Sequence, residues 1–141
     1  MSDPRAAVSH EGVDYKAATY PHDNTIVFDE DEVGGAAQVG LAVTLESDNL
    51  ISLVGDGEAV KGRLEKVESD GFCVVQTDGN MELPGGVSAT LTAGAKIVGD
   101  LGAESAEGYI QAAAAGTAAH HVVSRGEIID SSTATAVMVR L

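Results

Sequence analysis

Short apolar segments alternate with turn residues along most of this chain. Between positions 38 and 46, the side chains of Val39, Leu41, Val43 and Leu45 occupy every second position. A period of two predicts a half-buried strand with these four side chains on one face. Similar segments recur as far as the C-terminus, each bounded by Gly, Asp, Asn or Ser, which are typical turn residues. The segments predicted as strands are 38–46, 50–54, 59–68, 72–77, 81–83, 96–98, 109–111, 122–130 and 135–141.

Many short strands separated by turns predict an all-β fold, namely a small single-domain β-barrel or sandwich. The triplet Ser69-Asp70-Gly71 lies between two such segments and indicates a hairpin. The alanine-rich stretch Gln111–Ala119 is interrupted by Gly116 and lacks an amphipathic pattern. It is therefore predicted to be a loop, or at most one or two helical turns.

The N-terminal residues differ from the rest of the chain because apolar side chains are sparse before Ile26. Residues 1–25 are predicted to form an extended acidic arm, and residues 26–141 the β-domain. A length of 141 residues fits one domain. No stretch of 18 apolar residues occurs, and the first residues have no apolar signal-like segment, so neither a membrane span nor a signal peptide is expected.

The charge balance is strongly acidic, with 22 Asp and Glu against 8 Lys and Arg and a formal net charge of -14. Such a chain repels phosphates and anionic lipids, so nucleic acid and membranes are not expected partners. An acid-rich, lysine-poor composition is also typical of proteins that work in near-saturated salt. At about 1 M salt the Debye length falls to roughly 3 Å, which weakens self-repulsion. The same composition also fits an ordinary acidic protein that is not adapted to high salt.

The residues that carry chemistry do not form a recognisable catalytic pattern. Cys73, the single cysteine, lies in an apolar strand and is predicted to be a buried thiol. His120 and His121 are adjacent, so on a strand they would point to opposite faces and could not share a metal. The run Asp29–Glu32 offers carboxylates to a hard cation, but it lacks the spacing of a calcium loop, which favours a solvated acidic face. No catalytic residue, metal or cofactor is therefore predicted, and the chain is not expected to be an enzyme.

Three segments of the C-terminal region, LTAGAKIVGD, GYIQAAAAGTAA and VVSRGEIIDSSTATAVMVRL, occur in this order. Together they resemble the end of the capsid decoration (cement) proteins of tailed viruses. In that family a T-A-G turn precedes a strand, an Ala/Gly-rich loop follows, and alternating apolar residues close the chain. The central segment GRLEKVESDGFCVVQTDGNMELP is similar to the hairpins of the same family. The matching positions are Thr92, Ala93, Gly94, Gly126, Ile128, Val137, Val139 and Leu141.

The resemblance implies a structural virion protein on the outer capsid surface. It would bind the major capsid protein across capsomer boundaries, as a homotrimer and without a cofactor. Combined with the acidic composition, it predicts a decoration protein of a haloarchaeal tailed virus; a tail or spike component is a related possibility. Interfaces favour Tyr and Arg anchors, so Tyr15, Tyr20, Arg63 and Arg125 are the candidate interface residues. The alternative function is a small halophilic ligand-binding barrel or enzyme with a carboxylate-lined pocket.

Overall fold

Antiparallel β-strands make up most of the regular secondary structure. The computed structural model describes residues 15–87, 90–114 and 117–141. Ten strands and one six-residue α-helix occur within these ranges. They are β1 (Lys16–Pro21), β2 (Ala42–Ser47), β3 (Leu50–Leu53), β4 (Gly62–Val67), β5 (Phe72–Asp78), β6 (Asn80–Leu83), β7 (Ile97–Asp100), β8 (Tyr109–Ala112), α1 (Ala118–Val123), β9 (Glu127–Asp130) and β10 (Val137–Arg140).

The strands in these ranges pair into three antiparallel sheets, with the orders β1-β5-β4-β2-β3, β6-β10-β9 and β7-β8. The predicted all-β single domain is confirmed, although none of the described sheets closes into a barrel. In the five-stranded sheet, the two outer strands approach each other at a single bridge between His22 and Ile51. The amide of Asp23 donates to the carbonyl oxygen of Ile51 at 2.9 Å. The sheet is therefore curled, with its edges in contact at one point.

Isolated bridges connect the two smaller sheets. Ile97 at the start of β7 pairs with Arg125, which precedes β9, and Gly85 after β6 pairs with Ile110 in β8. These links hold the edges of the two sheets together without forming a continuous ladder.

Two clusters of buried apolar residues form the core of the molecule. The N-terminal cluster consists of Ile26, Ala36, Val43, Ile51, Leu53, Leu64, Val67, Cys73 and Val75. The C-terminal cluster consists of Ala42, Val54, Val60, Met81, Leu83, Ile97, Ile110, Ile128, Val137 and Val139.

Strand β2 runs between the two clusters, which changes the burial predicted for it. Ala42 packs into the C-terminal cluster and Val43 into the N-terminal cluster. Thr44 is also buried, whereas Leu45 is 47% exposed. The prediction of one buried face is therefore wrong, because the start of β2 has core on both sides and its end extends beyond both.

The predicted strand 122–130 is wrong over its first part. Val122 and Val123 belong to α1, and β9 begins only at Glu127. The helix is less than two turns long, and only its first two residues lie within the alanine-rich stretch 111–119, of which positions 115 and 116 lie outside the described residues. The backbone amide of Ala114 donates to Nδ1 of His120 at 3.1 Å, so a side chain of the helix binds the segment before it.

Part of the predicted arm belongs to the sheet. Residues 1–14 lie outside the described residues, but β1 pairs with β5 along its whole length, with Tyr20 opposite Cys73. Tyr20 also packs against the N-terminal cluster. The boundary predicted at residue 25 therefore falls beyond an integral strand, because an edge strand needs few apolar side chains when its backbone is paired.

No helix in the described ranges combines the length and the apolar character needed to cross a membrane.

Candidate interaction surface

The loop formed by residues 27–35 exposes both apolar and acidic side chains. Phe28 is 41% exposed and Val33 is 92% exposed, and Val27 is exposed as well. The acidic run Asp29–Glu32 lies between them and is exposed throughout. Large apolar side chains concentrated in one surface loop are unusual for a purely solvated face.

Backbone hydrogen bonds within the loop hold its shape. The amide of Asp29 donates to the carbonyl oxygen of Gly35 at 2.8 Å, and the amide of Gly35 donates to that of Glu32 at 3.0 Å. Gly35 has a φ of 93°, and a Cβ at this position would lie 2.0 Å from the carbonyl oxygen of Val67. Only glycine permits this conformation and this close approach. Gly35 therefore allows the loop to lie directly against the end of β4.

An open groove of about 580 Å³ separates this loop from the tip of the β4–β5 hairpin. Its charged side chains are the carboxylates of Glu30, Glu32, Glu68 and Asp70 and the amine of Lys66. The Lys66 Nζ lies 3.7 Å from Oε1 of Glu68, so the positive charge already has an acidic partner. The groove is therefore an acidic surface, and the remaining lining residues are Phe28, Gly34, Gly35, Val67 and Ser69.

The acidic run does not form a metal centre with other residues. The amide of Asp31 donates to Oδ1 of Asp29 at 3.0 Å, a local turn contact. Across the described part of the chain, no three His, Cys, Asp or Glu side chains are grouped so that they could hold a metal ion. The structure thus gives this run the geometry of an exposed acidic loop.

Arg63, a predicted interface residue, makes contacts within its own chain. Its Nε donates to the carbonyl oxygen of Glu82 at 3.1 Å, and its Nη1 donates to Oε2 of Glu65 at 2.9 Å. The side chain is 24% exposed. Since Arg63 is in β4 and Glu82 in β6, the guanidinium connects the five-stranded and three-stranded sheets.

Arg125 has a similar position between parts of the fold. Its guanidinium donates to three backbone carbonyl oxygens, at distances of 3.3 to 3.4 Å. Two of these belong to Val60 and Lys61, which precede β4, and the third belongs to Thr77 in β5. Arg125 therefore connects the segment before β9 to the five-stranded sheet through hydrogen bonds.

The two predicted tyrosines lie apart from each other. Tyr15 is exposed and lines a cleft of about 300 Å³ together with Lys16, Asp78 and Arg140. Tyr20 is half-buried, and the Nζ of Lys61 lies 6.0 Å from the centre of its ring. The four residues predicted from sequence are thus distributed over different parts of the molecule, and none of them lines the groove.

Sequence analysis missed this groove because its two walls are far apart in the chain. The available signals were the apolar residues Val27, Phe28 and Val33 on either side of the acidic run and the pair Gly34-Gly35 after it. Nothing in the sequence indicated that the β4–β5 turn would lie opposite this loop.

Cys73 is fully buried, which confirms the prediction of an internal thiol. Desolvation by burial raises its pKa to about 11. Because the thiolate is the reactive form, this thiol is poorly suited to nucleophilic chemistry near neutral pH.

Glu107 shows how closely the acidic side chains are crowded. Burial raises the pKa of its carboxyl group above the ordinary value, and the negative charges of Glu58, Asp23 and Glu46 raise it further. Glu107 lies outside the groove and remains exposed. Repulsion from three other carboxylates thus adds to the effect of burial on the Glu107 carboxyl group.

Comparison with known proteins identifies no relative of this chain, so its class is described from the fold alone. No family model, no curated protein and no solved structure matches the chain. By its structure it is a small all-β domain with two apolar clusters and an open acidic groove.

Proposed function

We propose that this chain is a structural virion protein that decorates the icosahedral capsid of a tailed virus. It binds the major capsid protein across capsomer boundaries on the outer surface, acts without a cofactor or catalytic site, and assembles as a homotrimer. The acidic composition supports a haloarchaeal virus as its source. These statements rest on the ordered sequence resemblance together with one structural observation.

That observation is the spatial grouping of the residues that carry the resemblance. The amide of Gly94 donates to the carbonyl oxygen of Ile128 at 2.8 Å, and Ile128 pairs with Val139 across β9 and β10. Val137 and Val139 are both fully buried in the C-terminal cluster. Segments that are separate in sequence therefore form one structural unit, so the residues that carry the resemblance belong to a single part of the fold.

The surface supports binding to a large partner. Cement proteins act by cross-linking neighbours, so they need a rigid scaffold with accessible surfaces and no enclosed site. The groove between residues 27–35 and the β4–β5 hairpin is open, and Phe28 contributes an exposed aromatic side chain to it. Exposed aromatic residues are enriched in protein interfaces.

The alternative, a ligand-binding barrel or enzyme, requires carboxylates with displaced pKa values inside a defined pocket. Glu107 has a raised pKa, but it is exposed and does not line the groove. The raised carboxyl pKa that would favour this alternative therefore does not belong to a residue of the acidic groove.

Co-sedimentation with undecorated capsids in molar KCl tests the proposal. The full chain and a variant lacking residues 1–14 are compared, because β1 begins at Lys16 and a longer deletion would remove a strand of the sheet. We expect saturable binding with a fixed ratio to the capsid protein. Absence of binding by the full chain, with its fold verified by circular dichroism, would refute the decoration role.

A further inference from the structure

We propose that the groove between the 27–35 loop and the β4–β5 hairpin is a docking site for a cationic, arginine-containing segment of a partner protein. This inference goes beyond the decoration role, because it names the chemistry that the groove recognises. It can also be tested without a capsid.

Charge complementarity is the first argument. Glu30 and Glu32 on one wall face the hairpin wall that carries Glu68 and Asp70. Lys66, the basic residue of the groove, is already near Glu68. A partner that covered these carboxylates without supplying positive charge would leave them desolvated and unpaired, which is costly. A cationic segment avoids this cost, because it supplies the missing opposite charge.

The exposed apolar side chains are the second argument, and they are independent of the charge. A solvated acidic face gains nothing from exposing Phe28, which lines the groove and is 41% exposed. An arginine side chain uses both kinds of surface, since its guanidinium stacks on an aromatic ring and pairs with carboxylates in a bidentate manner. Its aliphatic stem can cover an apolar neighbour while the charged end stays at the carboxylates.

The rigidity of the loop is the third argument. The hydrogen bonds between Asp29, Glu32 and Gly35, together with the contact of Gly35 with the Val67 backbone, fix the loop before any partner arrives. Binding therefore does not have to order this wall of the groove, which lowers its entropic cost.

The test is an NMR titration of the ¹⁵N-labelled full chain. The probe is a short capped glycine peptide with arginine at alternate positions, and the control probe contains neutral citrulline in place of each arginine. We expect the arginine peptide to shift the amide resonances of residues 28–35 and 66–70, and the citrulline peptide to leave them unchanged. Ionic strength is held constant throughout.

Variants distinguish recognition by the groove from general attraction to an acidic protein. Glu30→Gln with Glu32→Gln should weaken peptide binding roughly fivefold, a factor expected for losing an exposed ion pair. Phe28→Ala should also weaken it. The matched control is Asp48→Asn with Glu104→Gln, which removes the same charge at exposed positions outside the groove and should leave affinity within error.

Two results would overturn the inference. One is the absence of shifts in the groove at millimolar peptide. The other is a set of shifts spread over the acidic surface, with equal weakening in the control variant. If Phe28→Ala fails to fold, the two glutamine substitutions still decide the question, because both side chains are exposed. The capsid experiment is independent, so either proposal can fail while the other stands.

Discussion

Arg63 and Glu82 connect two sheets of this protein through one hydrogen bond, in which the Arg63 Nε donates to the Glu82 carbonyl oxygen at 3.1 Å. Arg63 is in β4 of the five-stranded sheet, and Glu82 is in β6 of the three-stranded sheet. A residue that the sequence suggested as an anchor for a partner is therefore an internal connection. The same guanidinium pairs with Glu65, which holds it in place.

Arg63→Met should lower the free energy of unfolding by about 1–2 kcal/mol, because a charged donor is removed and the Glu82 carbonyl loses its partner. Chemical denaturation in molar KCl measures this loss. Lys66→Met is the control, since its ion pair is more exposed and is expected to contribute less than about 0.5 kcal/mol. Equal effects of the two substitutions would contradict the connecting role of Arg63.

Gly35→Ala should destabilise the protein by about 1–3 kcal/mol and displace the 27–35 loop from β4. The added Cβ would lie 2.0 Å from the Val67 carbonyl oxygen, at a φ of 93°. Gly71→Ala is a matched control, because its φ is 89° but a Cβ there meets no atom within 4 Å. Thermal denaturation of the two variants separates the steric contact from the backbone strain. A similar loss in both would show that the Val67 contact is unimportant.

The free energy of unfolding should fall as the pH rises above about 9, because of the buried thiol of Cys73. Burial raises its folded-state pKa from 9.0 to about 11, so between these values the unfolded chain releases a proton that the folded protein retains. Unfolding is then favoured as pH increases. Denaturation between pH 8 and 11 measures the slope, and Cys73→Ala supplies the reference without this thiol. An identical slope in both proteins would contradict the expected effect.

Glu107→Gln should raise the melting temperature at neutral pH and low salt. The pKa of Glu107 is raised by burial and by Glu58, Asp23 and Glu46, so its ionised form opposes folding. That penalty is fully present above the raised pKa and disappears as pH falls below the ordinary value of 4.5. The stabilisation should therefore shrink at pH 4 and in molar KCl. Glu104→Gln, also exposed, serves as the control, and an equal gain from both would indicate a general charge effect.

The whole protein should become more stable as KCl rises from low to molar concentration. Its net charge of -14 opposes the compact state when it is unscreened, and salt shortens the range of this repulsion. Melting temperatures across the salt series measure the effect, with sucrose as a neutral cosolute control. A melting temperature independent of salt would remove the support for a halophilic origin.

Local signals in the sequence determined most of the strands. Alternating apolar residues with turn residues between them predicted the all-β class, and Ser69-Asp70-Gly71 marked the hairpin between β4 and β5. These features depend on neighbours in the chain, since a turn needs its own glycine and an alternating strand needs one buried face. The burial of Cys73 followed in the same way from its apolar surroundings.

Tertiary packing decided the rest. Periodicity assumes one core, but β2 lies between two clusters, so Ala42 and Val43 are buried on opposite sides. The pairing of β1 with β5 joins residues more than fifty positions apart, as Lys16 opposite Asp78 shows. The groove likewise lies between two segments that are distant in the chain, and Gly35 lies against the Val67 backbone where these segments meet. Such contacts depend on the three-dimensional path of the chain, which local pattern does not report.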